Sequence, residues 1–179
     1  MDPVTVSTTI GKPRQEVFAY LADISNHAEF LDHFLVDWHL TREDPWGLGA
    51  GARYRAIAPL QRFPWGDITF VEVVAPRRIV AAGRTGKFNR IRTRQIWELD
   101  SHGERETRVR LVVATEPKLA SDRLLELFAG RGWARRRYGR GLRRLAAILE
   151  EGRDRGRRPT IAGGPRKPAS AFRYQPDRT

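Results

Sequence analysis

A strand, two short helices, an unbroken run of strands and one long helix follow one another along this chain. That order constrains its fold more than any single motif. Residues 4–10 (VTVSTTI) alternate Val4, Val6, Thr8 and Ile10 against Thr5, Ser7 and Thr9, the period of a strand. Residues 14–34 hold two short amphipathic segments, and residues 50–116 are strand-like with no helical interruption. Residues 121–151 then carry helical periodicity. A sheet that long must cover its apolar face, and the terminal helix is the one large element able to do so. Function is therefore expected in the space between them.

Local signals mark the joints. Gly11-Lys12-Pro13 ends the first strand, and Pro13 suits the start of a helix whose stripe is Val17, Phe18 and Leu21. Asp23 or Ser25 can cap the next helix, which supplies Phe30 and Leu31. Residues 36–42 fit a second strand, and Pro45–Gly49 a turn. Further strands are expected near 51–58, 66–75, 78–85, 91–99 and 107–116, an antiparallel meander in which Pro64 marks a strand end or bulge. The segment after Gly152 is rich in Gly, Pro and Arg without periodicity and reads as a flexible tail, giving one domain over 1–151 and a tail over 152–179.

Composition narrows the class. With 179 residues, 40% hydrophobic, the chain can bury a core of its own. It has no cysteine, which excludes disulfides and thiolate chemistry. The start MDPVTVSTTIGKP lacks a basic and apolar leader, and no stretch approaches the length of a membrane span, so a soluble, cytoplasmic protein is expected. The net charge of +12 is uneven: residues 1–120 hold 17 Lys/Arg against 15 Asp/Glu, and residues 121–179 hold 16 against 6. Such asymmetry is what a solvated helix face and tail would show, and it also fits a contact with nucleic acid or an anionic membrane.

On a helical wheel Leu124, Phe128, Tyr138, Leu142, Leu145, Ala146 and Leu149 share one side of the last helix. Arg136, Arg137, Arg140 and Arg144 lie opposite with Trp133, a candidate polyanion contact. Arg131 and Arg135 fall on the apolar side, where they would meet a ligand oxygen or a protein carboxylate, or snorkel to the pocket mouth; Gly130 and Gly132 are candidate kink positions. Across from this helix, alternation puts Ile91, Thr93, Gln95, Trp97 and Leu99 on one face against Arg92, Arg94 and Glu98, and Tyr54 with Ala52 and Ala56 against Arg53 and Arg55. Phe70 belongs to the same wall. A mostly apolar wall with a few polar groups suits a small-molecule pocket, and suits core packing as well. The candidate ligand contacts are Tyr54, Phe70, Thr93, Gln95, Trp97, Phe128, Arg131, Arg135 and Tyr138.

These residues also carry a family resemblance. The opening VTVSTTIGKPRQEVFAYLADISNHAEFLDHF, with Pro13, Val17, Phe18, Asp23, Asn26, His27 and Phe30, resembles the start of polyketide cyclase-like members of the SRPBCC superfamily. GLGAGARYRA resembles that family's entry to the next strand, and TRQIWELDSHGERETRVRLVV its last hairpin. The resemblance covers residues 4–151. It implies an α+β, START-like helix-grip fold: a curved antiparallel sheet of six or seven strands around the C-terminal helix, with an internal cavity for apolar ligands. The superfamily includes aromatases, cyclases and lipid carriers and has no catalytic motif common to all members, so chemistry does not follow from membership.

Tests for chemistry point to binding first. His27, His33 and His39 recur every six residues, a spacing that fits neither one helix face nor one strand face, so no metal site is expected. His27 and Asp23 are spaced to meet on a helix, where such a pair holds a turn. No nucleotide-binding or serine-hydrolase pattern is present, and no cofactor is expected. The leading reading is binding of a hydrophobic or amphipathic small molecule, lipid- or polyketide-like. A cyclase reading, with Tyr54, Arg131, Arg135 and Tyr138 polarising a carbonyl, comes second because no inward acid or base is apparent. Contact with an anionic membrane or nucleic acid through Arg136, Arg137, Arg140, Arg144 and the tail comes third.

Overall fold

In a computed structural model, the residues described are 3–58, 62–103, 105–117, 120–153, 155, 156 and 158–161, with the side chains of 120–129 excepted. Seven strands, β1 (Val4–Ile10), β2 (Leu35–Leu40), β3 (Gly51–Ala56), β4 (Trp65–Val74), β5 (Arg78–Thr85), β6 (Ile91–Ser101) and β7 (Thr107–Glu116), form one antiparallel sheet in the order β1-β7-β6-β5-β4-β3-β2. The short helices α1 (Arg14–Ala22) and α2 (His27–Leu31) follow β1, and the long helix α3 (Ala120–Glu151) closes the domain. The element order called for a sheet covered by the long helix, and the arrangement is the helix grip that the family resemblance implies.

The alternation of each strand sets which residues face α3. One row of register partners runs Phe70–Ala81–Gln95–Val113–Val4 across five strands, and the next runs Ile79–Trp97–Leu111–Val6. Both are buried, except that Val6 lies at the margin. The outer face carries the charges, including the pairs Arg110–Glu98 and Arg78–Glu72. β2 begins one residue earlier and ends two residues earlier than its sequence suggests. A register shift between Val36 and His39, with Asp37 at φ 54, interrupts its alternation. β3 likewise stops at Ala56, where Pro64 accepts from the Ala56 N–H and closes the turn into β4.

Helix α3 continues through Gly130 and Gly132 without a break. Its buried seam is Ala134, Tyr138, Gly141, Leu142, Leu145 and Ile148. Gly141 lets α3 approach α2 closely, since a Cβ there would stand 2.7 Å from Leu31 Cδ2. Beyond Glu151 the chain turns back rather than leaving the domain. Gly156 N–H donates to the Glu29 carbonyl at 3.1 Å, Leu40 N–H donates to the Thr160 carbonyl at 3.1 Å, and Arg158 donates to Asp23 and to Ser25 Oγ. The first part of the segment read as a tail thus lies on α1, α2 and the β2 edge; residues 162–179 are outside the described residues.

Candidate functional site

The inward face of β6 carries three polar side chains at alternate positions, Thr93, Gln95 and Trp97. Gln95 is 3% exposed and Trp97 0%. Gln95 Nε2 donates to Tyr138 Oη of α3 at 3.3 Å. Thr93 Oγ1, Gln95 Oε1 and Trp97 Nε1 have no hydrogen-bond partner among the described residues. A buried polar atom left in that state costs about 1–3 kcal/mol, so three on one strand face form a costly arrangement for a wall that is only packing.

Aromatic rings frame this strip. His27 packs against Phe30, Phe70 and Trp97, with ring centroids 5.3–5.5 Å apart. Phe34 meets Tyr138 edge to face at 5.0 Å, and Trp38 lies 5.1 Å from Tyr54. Burial pushes the Tyr54 phenol up to about 12, with Asp67 adding to it. Burial raises the Tyr138 phenol further, with Tyr54 contributing. Both hydroxyls are therefore protonated at neutral pH and act as hydrogen-bond donors or acceptors rather than bases. His27 Nε2–H donates to the Leu21 carbonyl at 2.8 Å, tying α2 to α1, and burial lowers its pKa to about 4. Its ring is a neutral part of the wall. Among the described residues the one buried carboxylate is Glu29, which accepts from Tyr20 Oη at 2.7 Å and faces the returning segment near Arg158.

The structure thus brings Tyr54, Phe70, Thr93, Gln95, Trp97 and Tyr138 to one interior wall. Arg131 and Arg135 do not join them: both are exposed. Ala134, Tyr138, Gly141, Leu145 and Ile148 follow a 4-3 repeat, a narrower seam than the wheel drew, which leaves Arg135 at its margin. Arg131 shares the seam's direction, and a long arginine stem can lie along it with the head in water. The Phe128 side chain is outside the described residues.

The basic helix face is also divided. Arg136 and Arg140 are exposed, and Arg137 is half-buried with its carbonyl accepting from His33 Nε2–H at 3.1 Å. Arg144, whose side chain is 12% exposed, pairs with Asp32 and donates to His33 Nδ1 at 3.4 Å. It is committed within the protein. Trp133, expected on the arginine face, packs edge to face on Phe34 at 5.5 Å.

Sequence reasoning passed over two features. Phe34 and Trp38 were not assigned to the wall, because the irregular register of β2 hides the alternation that would have shown Trp38. A groove of about 840 Å³ on the outer sheet face, lined by Thr69, Ala82, Arg84, Arg92, Arg94 and Glu116, was also missed. Its signal was present in the outward arginines of β5 and β6, which lie side by side at Arg84 and Arg92.

Comparison with known proteins agrees with this architecture. Residues 1–150 match the family model described as polyketide cyclase / dehydrase and lipid transport. No curated protein sequence matches the chain. Among solved structures, the Thermus thermophilus protein TTHA0849 is similar with a TM-score of 0.65 at 17% identity, over 84% of this chain and 99% of its own. Truncated norcoclaurine synthase from Thalictrum flavum gives 0.64 at 9% identity, over 84% and 94%. DynU16, from the dynemicin biosynthetic locus, gives 0.58 at 19% identity over 86% of this chain, which spans about half (49%) of DynU16. At these identities the likeness is one of fold.

Proposed function

The chain belongs to the polyketide cyclase / dehydrase and lipid transport family, and on that premise we propose that it binds a hydrophobic or amphipathic small molecule between the inner sheet face and α3. The ligand is lipid- or polyketide-like and carries at least one oxygen function. The observation that carries this reading is the strip of Thr93, Gln95 and Trp97, whose buried polar atoms have no partner among the described residues. A ligand carbonyl or hydroxyl oxygen can accept from the Trp97 N–H, and a ligand hydroxyl can donate to the Gln95 carbonyl oxygen, while Phe70 and the other rings supply apolar contact.

The cyclase reading stands second. Tyr54 and Tyr138 can donate to a ligand carbonyl, but held protonated by burial they do not abstract a proton at neutral pH. Carrying and presenting a ligand needs no such group. Native mass spectrometry of protein purified from its own host tests the proposal: a co-purifying apolar molecule is expected, with less of it retained by Gln95→Leu and Trp97→Phe. Protein that carries nothing and binds no lipid or polyketide from a panel would sink it.

A further inference from the structure

The register places one end of the sheet unambiguously. Ala56 ends β3, Trp65 begins β4, Thr85 ends β5, Ile91 begins β6, Glu116 ends β7, and α3 begins four residues later. The β3–β4 and β5–β6 loops therefore lie at the same end, that of the α3 N-terminus. Apolar side chains stand exposed there: Ile57 at 51%, Phe63 at 47%, Trp65 at 39% and Phe88 at 87%. Lys87 Nζ lies 5.9 Å from the Phe63 ring and 5.2 Å from the Phe88 ring, which brings the two loops into one cluster. Arg53 lies over Trp65 at 5.3 Å.

Phe88 is the least expected of these. It sits at φ 56, next to Asn89 at φ 54, a left-handed backbone that is costly for a bulky side chain. The turn accepts that cost and still presents the ring to water. Residues that hold an unfavourable backbone to display an apolar ring point to a use for the ring.

We propose that this end of the protein docks on an anionic lipid bilayer, with Phe88 and Phe63 entering the acyl boundary and Lys87 at the headgroup level. The charge pattern selects the occupant. The two loops carry Arg62, Lys87 and Arg90 and contain no Asp or Glu over 57–64 or 86–91. The opposite end also exposes apolar residues, Trp46 and Leu48, but beside Glu43 and Asp44. A projecting ring flanked by cations suits insertion between anionic headgroups, where apolar burial and surface potential act together. This surface is separate from the arginine face of α3, and it stands on exposed side chains rather than on the interior wall.

Flotation with vesicles of phosphatidylcholine alone and of phosphatidylcholine mixed with phosphatidylglycerol provides the test. The full chain is expected to float with the mixed vesicles and not with the neutral ones. Phe88→Ser should weaken partitioning about tenfold, and Lys87→Gln about fivefold at low salt. Brominated lipid should quench Phe88→Trp more than the parent protein, which reports insertion of that position without requiring loss of binding. Absence of binding to mixed vesicles would overturn the proposal. So would binding that survives Phe88→Ser but is lost on neutralising Arg136 and Arg140, because the helix face would then be the contact. Ligand content, measured separately by mass spectrometry, keeps this outcome apart from that of the proposed function.

Discussion

The Gln95 side chain donates to Tyr138 Oη at 3.3 Å and leaves its own carbonyl oxygen without a partner among the described residues, although only 3% of the residue is exposed. One bond thus links sheet to helix, and one acceptor is held ready beside it. Stability and binding should therefore respond differently to changes at this pair.

Gln95→Leu removes the donor to Tyr138 and should lower stability by about 1 kcal/mol, because the phenol is then buried alone. The double variant Gln95→Leu/Tyr138→Phe removes both polar groups and should recover that loss, since apolar replacement of both partners is near neutral. Urea unfolding of the full cycle measures this. Both variants should lose ligand affinity; a double variant less stable than the single one would show that the Tyr138 hydroxyl stabilises the fold through something other than its bond to Gln95.

Acid should destabilise the protein through His27. Its folded pKa, about 4, lies below the ordinary value of 6.5. Between those values the unfolded chain binds the extra proton, so stability is complete above pH 6.5 and falls as pH drops toward 4. The span is on the order of 3 kcal/mol. Burial lowers His33 as well, which acts in the same direction. Urea midpoints across this pH range should slope upward in the parent protein and flatten markedly in His27→Gln, with His33→Gln as the comparison.

Gly83→Ala should be severe. A Cβ at that position would run into the carbonyl oxygen of Asp67 on the adjacent strand, and backbone cannot yield as a flexible side chain can. The expected loss is about 3 kcal/mol or more, read as a lowered urea midpoint. An unchanged midpoint would mean that β4 and β5 separate there at little cost.

Arg144 and its neighbours on α3 should separate by phenotype. Arg144→Ala leaves Asp32 without its cation and should cost about 1–3 kcal/mol of stability. Arg136→Gln and Arg140→Gln, at exposed positions, should change stability by less than about 0.5 kcal/mol. Any salt-dependent polyanion binding by this helix should follow Arg136 and Arg140. Denaturation and salt titration of the three variants check both halves.

The fold was legible because it is written in periodicity. Alternation in β6 is enough to put Thr93, Gln95 and Trp97 on one face, and the 3.6-residue repeat locates α3. What remained hidden depended on contacts between distant segments. Arg131 and Arg135 share the wheel with apolar residues, and a wheel does not show where the buried seam narrows or how far an arginine stem reaches. Trp133 sits among arginines in sequence, yet Phe34 from the other side of the chain covers it. Arg158 resembles its neighbours in a Gly- and Arg-rich run, and nothing local shows that Asp23 and Ser25 receive it.

The returning segment bears on how copies of this protein meet. β2 lies at the edge of the sheet, and a free edge is a template for pairing with a strand from another molecule. Here the Leu40 N–H is already bonded to Thr160 of the same chain. A foreign strand arriving at that point would first have to peel away residues fastened through Gly156 and Arg158. Shortening the chain at the end of α3 would remove this guard, and self-association through β2 is the form in which the loss would first be seen.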